Sequence, residues 1–308
     1  STGRLERANI DVDLNLGRIY SNQGELDAAT ERYKKAFKAA KVRGDERSQG
    51  DALMALGAVL RSRNQWDGAL KLFEQSRLLY ERNGDKKGIA AVNNYMGSIA
   101  YWRGQWKEAR DNYERSLAIY TELQEAVEVA SMTSNLGGVA YAIGDDLSAI
   151  EYFKRSAEGH RQTNNVIGIA EVDANLGVVY ERTEQWNEAI TRHKESVELF
   201  ERMGNNRQLW HTYLNYARVL ARTDELDLAE EFCQKSKTIL NDLGNKRGLA
   251  EARRVEGIIA TMDSRWNQAT RFFNESIELC EDAKDPYGKG ETLRELALMY
   301  FKHSDLCA

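Results

Sequence analysis

The sequence predicts an all-α solenoid built from helix–turn–helix pairs, and three observations carry that prediction. The first is a 40-residue period with no insertion or deletion: a large apolar residue precedes glycine at Leu16-Gly17, Leu56-Gly57, Met96-Gly97, Leu136-Gly137 and Leu176-Gly177, and Tyr216-Ala217, Glu256-Gly257 and Leu296-Ala297 keep the spacing. The second is an alanine twelve residues past each small residue, at Ala29, Ala69, Ala109, Ala149, Ala189, Ala229 and Ala269. The third is a single proline in 308 residues, where ~5% is usual, so the residue that helix interiors exclude is nearly absent. A unit of this length cannot bury its apolar face alone and must stack on its neighbours. The chain is therefore expected to be one domain over 1–308, with about seven and a half repeats whose first helices centre near residues 16, 56, 96, 136, 176, 216, 256 and 296.

Each unit divides into two helices. In the third, the first helix spans roughly 91–102, breaks at Gly104, and the second runs from Trp106 to about Thr121. Gly24 and Gly144 hold the same break, while Asn64, Asp224 and Ser264 supply other turn-tolerant residues there. Second helices end at Gly44-Asp45, Gly84-Asp85, Gly204-Asn205 and Gly244-Asn245, where glycine provides a left-handed cap. The small residue of each Leu-Gly site and the alanine after it let the two helices of a pair approach closely. Extending the register gives about fifteen helices and no strand, because no stretch alternates with period two. The last helix, from about Tyr287 to His303, is unpaired. Leu293, Leu296, Leu298, Met299 and Phe301 make it apolar on more than one side, whereas a terminal capping helix is polar outside, so a partner helix is expected to follow in a longer parent chain.

Composition narrows the function. Net charge is −5, with 30% of residues charged and both signs interspersed, an ordinary solvated surface without the basic face that nucleic acid demands. No apolar run approaches the ~18–20 residues that span a bilayer, and Ser1 to Ile10 lacks a signal-peptide core, so neither nucleic acid nor membrane is an expected partner. Cys233, Cys280 and Cys307 are odd in number and form no C-x-x-C pair, which argues against a disulfide framework and for a reducing, cytoplasmic setting. Asn274-Glu275-Ser276 matches a glycosylation sequon inside a predicted helix and is taken as chance. Catalytic signals are poor. His160 and His193 fall at second-helix positions used for packing in other repeats, and His303 with Cys307 supplies too few ligands for zinc. Gly288-Lys289-Gly290 lacks the Ser or Thr after lysine and the earlier glycine of a phosphate loop. A solenoid also offers no enclosed, water-poor cavity. No cofactor, metal or enzymatic activity is expected.

Leu-Gly-x-x-Tyr (Leu16, Gly17, Tyr20; Leu176, Gly177, Tyr180), then glycine, then alanine, then an aromatic such as Tyr33, Phe73, Tyr113, Phe153 or Phe273, resembles the tetratricopeptide repeat (TPR) over essentially the whole chain. A 40-residue unit ending in Gly-Asp-x-x-Gly is similar to the long-unit subset found in spindle-orientation adaptors, kinesin light chains and bacterial peptide-sensing regulators. Departures are local: Asp146 replaces Leu or Trp in the fourth repeat, and Cys233 occupies the aromatic site of the sixth. The resemblance implies a right-handed superhelix whose first helices line a concave groove for peptides or partner proteins.

The groove face follows from the 100° step of a helix. In the fourth repeat Met132, Leu136, Gly137, Val139 and Ala140 turn to the core, and Ser131, Asn135, Gly138 and Ala142 to the opposite side. Three features stand on that face. Asn135, Asn175 and Asn215 recur at one position in successive repeats, with Asn15 at the far end; a carboxamide both donates and accepts, so such a ladder can pair with the backbone of an extended peptide, the alternative being a solvated polar face or a local hydrogen bond. Tyr95, Tyr101, Trp102 and Tyr141 cluster beside Ala55, Ala58, Ser98 and Gly138, a shallow apolar depression suited to a partner's side chain, although packing between repeats can also consume Tyr101 and Tyr141. His211, Asn215, Arg218 and Arg222 form a stripe, with Arg182, Arg254 and Arg294 on neighbouring helices. A guanidinium fork suits a carboxylate, yet Glu171, Glu251, Glu291 and Glu295 share the face and can neutralise it. The pattern departs from the carboxylate clamp of chaperone-binding relatives, because the first helix offers Asn15, Arg18 and Asn22 and no Lys-Asn pair. The expected function is a protein–protein interaction scaffold holding an extended peptide, with an acidic group, across repeats three to six. The alternative is a ligand-sensing segment of a larger signal-transduction or transcription regulator, in which the ligand changes the superhelix pitch.

Overall fold

The computed structural model describes residues 2–306, with the side chains of 2–7, 207 and 305–306 excepted. Among these residues there are fifteen α-helices and no strand: α1 (Thr2–Gln23), α2 (Leu26–Arg43), α3 (Glu46–Ser62), α4 (Trp66–Asn83), α5 (Lys86–Trp102), α6 (Trp106–Glu122), α7 (Ala126–Ala142), α8 (Asp146–Gln162), α9 (Val166–Arg182), α10 (Trp186–Met203), α11 (Asn206–Arg222), α12 (Leu226–Asp242), α13 (Lys246–Met262), α14 (Trp266–Asp282) and α15 (Pro286–Leu306). Odd-numbered helices are the first and even-numbered helices the second of each pair, in the expected 40-residue register. The lone proline, Pro286, opens α15, a position where its missing N–H costs nothing.

A residue in the left-handed region stands every twenty residues from Gly24 to Lys284. Glycine fills seven of these places, and Asn64, Asp224 and Ser264 take the breaks anticipated for them. Gln124, Asn164, Glu184 and Lys284 also adopt φ between +52° and +57°. Asn164 tolerates that conformation, but the side chains of Gln124, Glu184 and Lys284 do not favour it; there stacking imposes the turn where local sequence would not. The Gly-Asp-x-x-Gly unit has a mechanical explanation. Gly84 turns the chain, Asp85 accepts the Gly88 N–H at 2.9 Å, and a Cβ on Gly88 would stand 2.6 Å from the Tyr80 ring. The last large residue of one repeat thus seats against the first turn of the next.

Within a pair, the glycine of the Leu-Gly site receives the ring four residues past the alanine: a Cβ on Gly57 would meet Phe73 at 2.6 Å, and one on Gly137 would meet Phe153 at 2.9 Å. His193 occupies that ring site in α10 against Gly177, and Cys233 occupies it in α12. His160 packs likewise, against Gly168. A further tie was not drawn from the sequence. Ser76, Ser116, Ser156, Ser196, Ser236 and Ser276 are fully buried, and each hydroxyl donates to the carbonyl 26 residues earlier at 2.7–2.9 Å. The 40-residue recurrence of serine was the available signal.

The contacts form two compact units, 1–159 and 160–308. The period carries no sign of this division, because the boundary falls inside α8 with the register unbroken. In the first unit α3 touches both α1 and α5; in the second, α11 touches α9 and α13, and α13 touches α15. Among the described residues, successive second helices make no comparable contact. Within each unit the contacts between alternate helices therefore run through the first helices. In α15, Tyr287, Leu293, Leu298 and Phe301 are exposed, while Met299 is buried.

Candidate functional site

The inner faces of the two units share a backbone and differ in chemistry. In the first, Tyr95 of α5 stacks on Phe73 of α4 with ring centroids 5.2 Å apart and planes 6° apart. The Arg61 guanidinium of α3 lies over the Tyr95 ring, its carbon 5.5 Å from the centroid. Tyr101 is half-buried and meets Trp102 and Trp106 edge-on at 5.8 and 5.4 Å. It lies against α7, where a Cβ on Gly138 would stand 3.8 Å from the ring. Trp102, at the end of α5, is 67% exposed. Tyr141 is half-buried on α7, and Asn135 Nδ2 donates to Asn94 Oδ1 of α5 at 3.1 Å. Tyr95, Tyr101 and Trp102 thus stand along α5, with Trp102 edge-on to Tyr101 and Tyr101 facing Gly138 of α7, and the carboxamides of Asn94 and Asn135 form a linked pair. At the far end Asn15 Oδ1 accepts from Arg18 of its own helix at 3.1 Å.

In the second unit the corresponding asparagines present differently. Asn175 is exposed on α9, whereas Asn215 is only 2% exposed and its Nδ2 lies 3.3 Å from His211 Nδ1. The reason is packing: α11 lies against α13, and Asn215 is buried on α11. Arg218 is engaged by Glu181 of α9 in a two-pronged pair, Nε to Oε1 at 2.7 Å and Nη2 to Oε2 at 2.8 Å. Arg222 stands 3.7 Å from Glu181 and 3.5 Å from Glu295 of α15. Burial pushes the Glu181 carboxyl up, and Arg218, seconded by Arg222, outweighs it and holds the group below the ordinary carboxylate range. His211 and Arg254 border a cleft of about 390 Å³ with Trp210, Glu251 and Tyr287; Glu251 lies 3.7 Å from Arg254 and 4.0 Å from His211. Arg182 is exposed at the end of α9, and Arg294 pairs with Glu291 and Glu295 of its own helix. The basic stripe is thus largely neutralised from within, by Glu251 and Glu295 as anticipated and by Glu181, which was not.

Glu181 and Arg61 are the residues that sequence reasoning passed over. Both hold the register position of Tyr101 and Tyr141, and this is the position that crosses between successive first helices: Arg61 to Tyr95, Tyr101 to Gly138, Glu181 to Arg218. Recognising Tyr101 as special was enough to single out 61 and 181 by spacing.

Among the described residues no group of three His, Cys, Asp or Glu stands where it could share a metal ion. His303 rests on Trp266 at 4.8 Å, and Cys307 lies outside the described residues. No helix of the described residues is long and apolar enough to cross a membrane.

A run of helix hairpins with an unbroken register, joined by Gly-Asp-x-x-Gly corners and offering side chains from its inner faces, defines a helical-repeat protein. The tetratricopeptide repeat model matches residues 6–82, 88–162, 128–202 and 208–282, and the chain belongs to that family. No curated protein matches it significantly. Three solved structures share the fold. The Rap conjugation gene regulator of plasmid pLS20 in complex with the Phr* peptide is 13% identical, with a TM-score of 0.65 over 96% of each chain. A Rap protein complexed with competence and sporulation factor is 13% identical, with a TM-score of 0.64 over 96% of this chain and 98% of its own. Aspartyl phosphate phosphatase F from Bacillus subtilis is 12% identical, with a TM-score of 0.63 over 94% of each chain.

Proposed function

We propose that this TPR protein is an interaction scaffold that holds an extended peptide segment of a partner protein on the inner face of its first unit, over α5 and α7. One observation carries the reading: Trp102 stands 67% exposed at the end of α5, edge-on to half-buried Tyr101, whose ring faces Gly138 of α7. A large aromatic held in solvent at the edge of an apolar depression gains by covering a partner's side chain. The linked Asn94–Asn135 pair retains lone pairs and N–H groups for a peptide backbone. A similar fold is known holding a peptide, in the plasmid pLS20 regulator, which supports the reading without extending that protein's function to this one. The role is binding and not catalysis, and the free thiols of Cys233 and Cys280 suit a cytoplasmic setting.

The test uses a random dodecapeptide phage library panned on the folded chain, followed by titration of the enriched peptides. Trp102→Ala and Tyr141→Ala are each expected to weaken binding ten-fold or more, since aromatic hot spots carry about 2 kcal/mol or more, with helicity unchanged. Enriched peptides that bind both variants as tightly as the parent would move the site elsewhere.

A further inference from the structure

We infer that Arg61 is the anion anchor of this surface, taking a carboxylate side chain of the bound peptide; the inference rests on the reading above. The arginines first suited to that task are occupied. Arg218 and Arg222 face Glu181 and Glu295, and Arg254 faces Glu251. In the first unit Arg32 pairs with Asp13, Arg47 with Asp85, Arg63 with Asp27, Arg77 with Glu81, Arg82 with Glu46 and Arg103 with Asp67. Among the described residues Arg61 has no such partner. Its Nε is buried and meets no acceptor, and its guanidinium lies over Tyr95, which is itself held from below by Phe73.

A guanidinium carries five N–H donors in a planar fork, and leaving a buried donor unmade is costly. Arg61 is therefore a cation already ordered by its aromatic bed and lacking the acceptors its geometry calls for. Ordering the group in advance removes much of the entropy that binding would otherwise spend. A carboxylate matches the fork in shape and charge. Trp102 and Tyr101, at the same end of the neighbouring α5, add an apolar wall. The preferred ligand is a peptide with Asp or Glu close in sequence to a large apolar residue.

The probe is the set of dodecapeptides enriched on the parent chain. Enrichment is expected to select an acidic position near an aromatic or branched aliphatic one. Changing that acid to its amide, and separately Arg61→Gln, should each weaken binding roughly ten- to a hundred-fold, the range for a charge-assisted hydrogen bond, while the two changes together cost little more than either alone. Arg61→Lys should recover only part of the loss, because a point charge lacks the fork. The peptide arm leaves the protein unaltered, so a folding defect cannot produce its result. Additive losses, or enriched peptides without an acidic position, would overturn the assignment of Arg61 while sensitivity to Trp102→Ala kept the surface itself. Indifference to Trp102, Tyr141 and Arg61 alike would remove both.

Discussion

Replacing His193 with phenylalanine should stabilise the second unit, by an amount that grows as the pH falls. His193 is 0% exposed on α10 and fills the place that Phe73, Phe153 and Phe273 fill in their repeats, with its ring against Gly177. Neither ring nitrogen finds a hydrogen-bond partner among the described residues. A buried polar atom left unpaired costs about 1–3 kcal/mol, so the phenylalanine variant is expected to gain about 1–3 kcal/mol at neutral pH. Burial, opposed by the Glu181 carboxylate and aided by Arg218 and His211, drives the imidazole from its ordinary 6.5 down to about 3. The folded chain thus keeps the ring neutral while the unfolded chain takes up a proton below 6.5. Stability from this residue is full above that pH and drains away as the pH falls toward 3. Between pH 7.5 and 5.5 the loss is about 1.4 kcal/mol, one pKa unit of linkage. That window lies above the range where carboxylates such as Glu181 titrate. Urea unfolding of both proteins at pH 7.5 and 5.5, followed by circular dichroism and by hydrogen exchange across α9 and α10, separates the two effects, because His160 titrates in both and cancels. A variant no more stable than the parent, or one whose stability falls as steeply with acid, would refute the reasoning.

Two further outcomes follow from the same structure. Glu184→Gly and Lys284→Gly should each raise the thermal midpoint, corresponding to about 0.5–1 kcal/mol, since a left-handed turn at φ +56° or +52° suits glycine better than a residue with Cβ even after glycine's entropy cost; a lowered midpoint would mean that their side chains hold the turn. Arg218→Met should destabilise the second unit by about 3 kcal/mol, the lower end for removing one partner of a buried pair, because the side chains of Arg218 and Glu181 keep 18% and 12% exposure. Adding Glu181→Gln to that variant should restore most of the loss, and equal stability of the single and double variants would show that the pair contributes little.

The 40-residue period made helix number, pairing and most corners legible, because each corner is a local event: Gly84 turns, Asp85 caps, Gly88 yields to Tyr80. Less legible were corners such as Gln124 and Lys284, whose residues favour no turn and are forced by neighbouring repeats. The core face of α7 followed from the helical step, and Met132, Leu136 and Val139 are buried as that step requires. The inner face was harder. A 100° step says which residues point inward but not how closely the next first helix stands, so Asn135 and Asn215 looked alike in sequence, although one is half-buried with Asn94 and the other sealed between α11 and α13. Charge pairing was partly visible, since Glu251 and Glu295 lay on the predicted stripe. Glu181 was not, because its carboxylate crosses from a different helix at a position counted among the packing aromatics.

That crossing position explains how one repeat can carry two different surfaces. The backbone around residues 61, 101, 141 and 181 is set by the same glycine, alanine and buried serine in each repeat, so different side chains can stand there on one framework. Arginine at 61 leaves a cation over Tyr95; tyrosine at 101 closes against a glycine on the next helix; glutamate at 181 binds the next helix's arginine and quiets its charge. Each choice decides whether the seam between two first helices is left open to a ligand or satisfied from within. In the second unit the seam is satisfied, and Arg222 extends the tie from Glu181 to Glu295. In the first unit it is not, and the unmatched guanidinium lies on the same surface as the exposed tryptophan. A ligand gains most where the protein has left its own groups unpaired, which is why the proposal above assigns the acidic peptide to the first unit and not to the second.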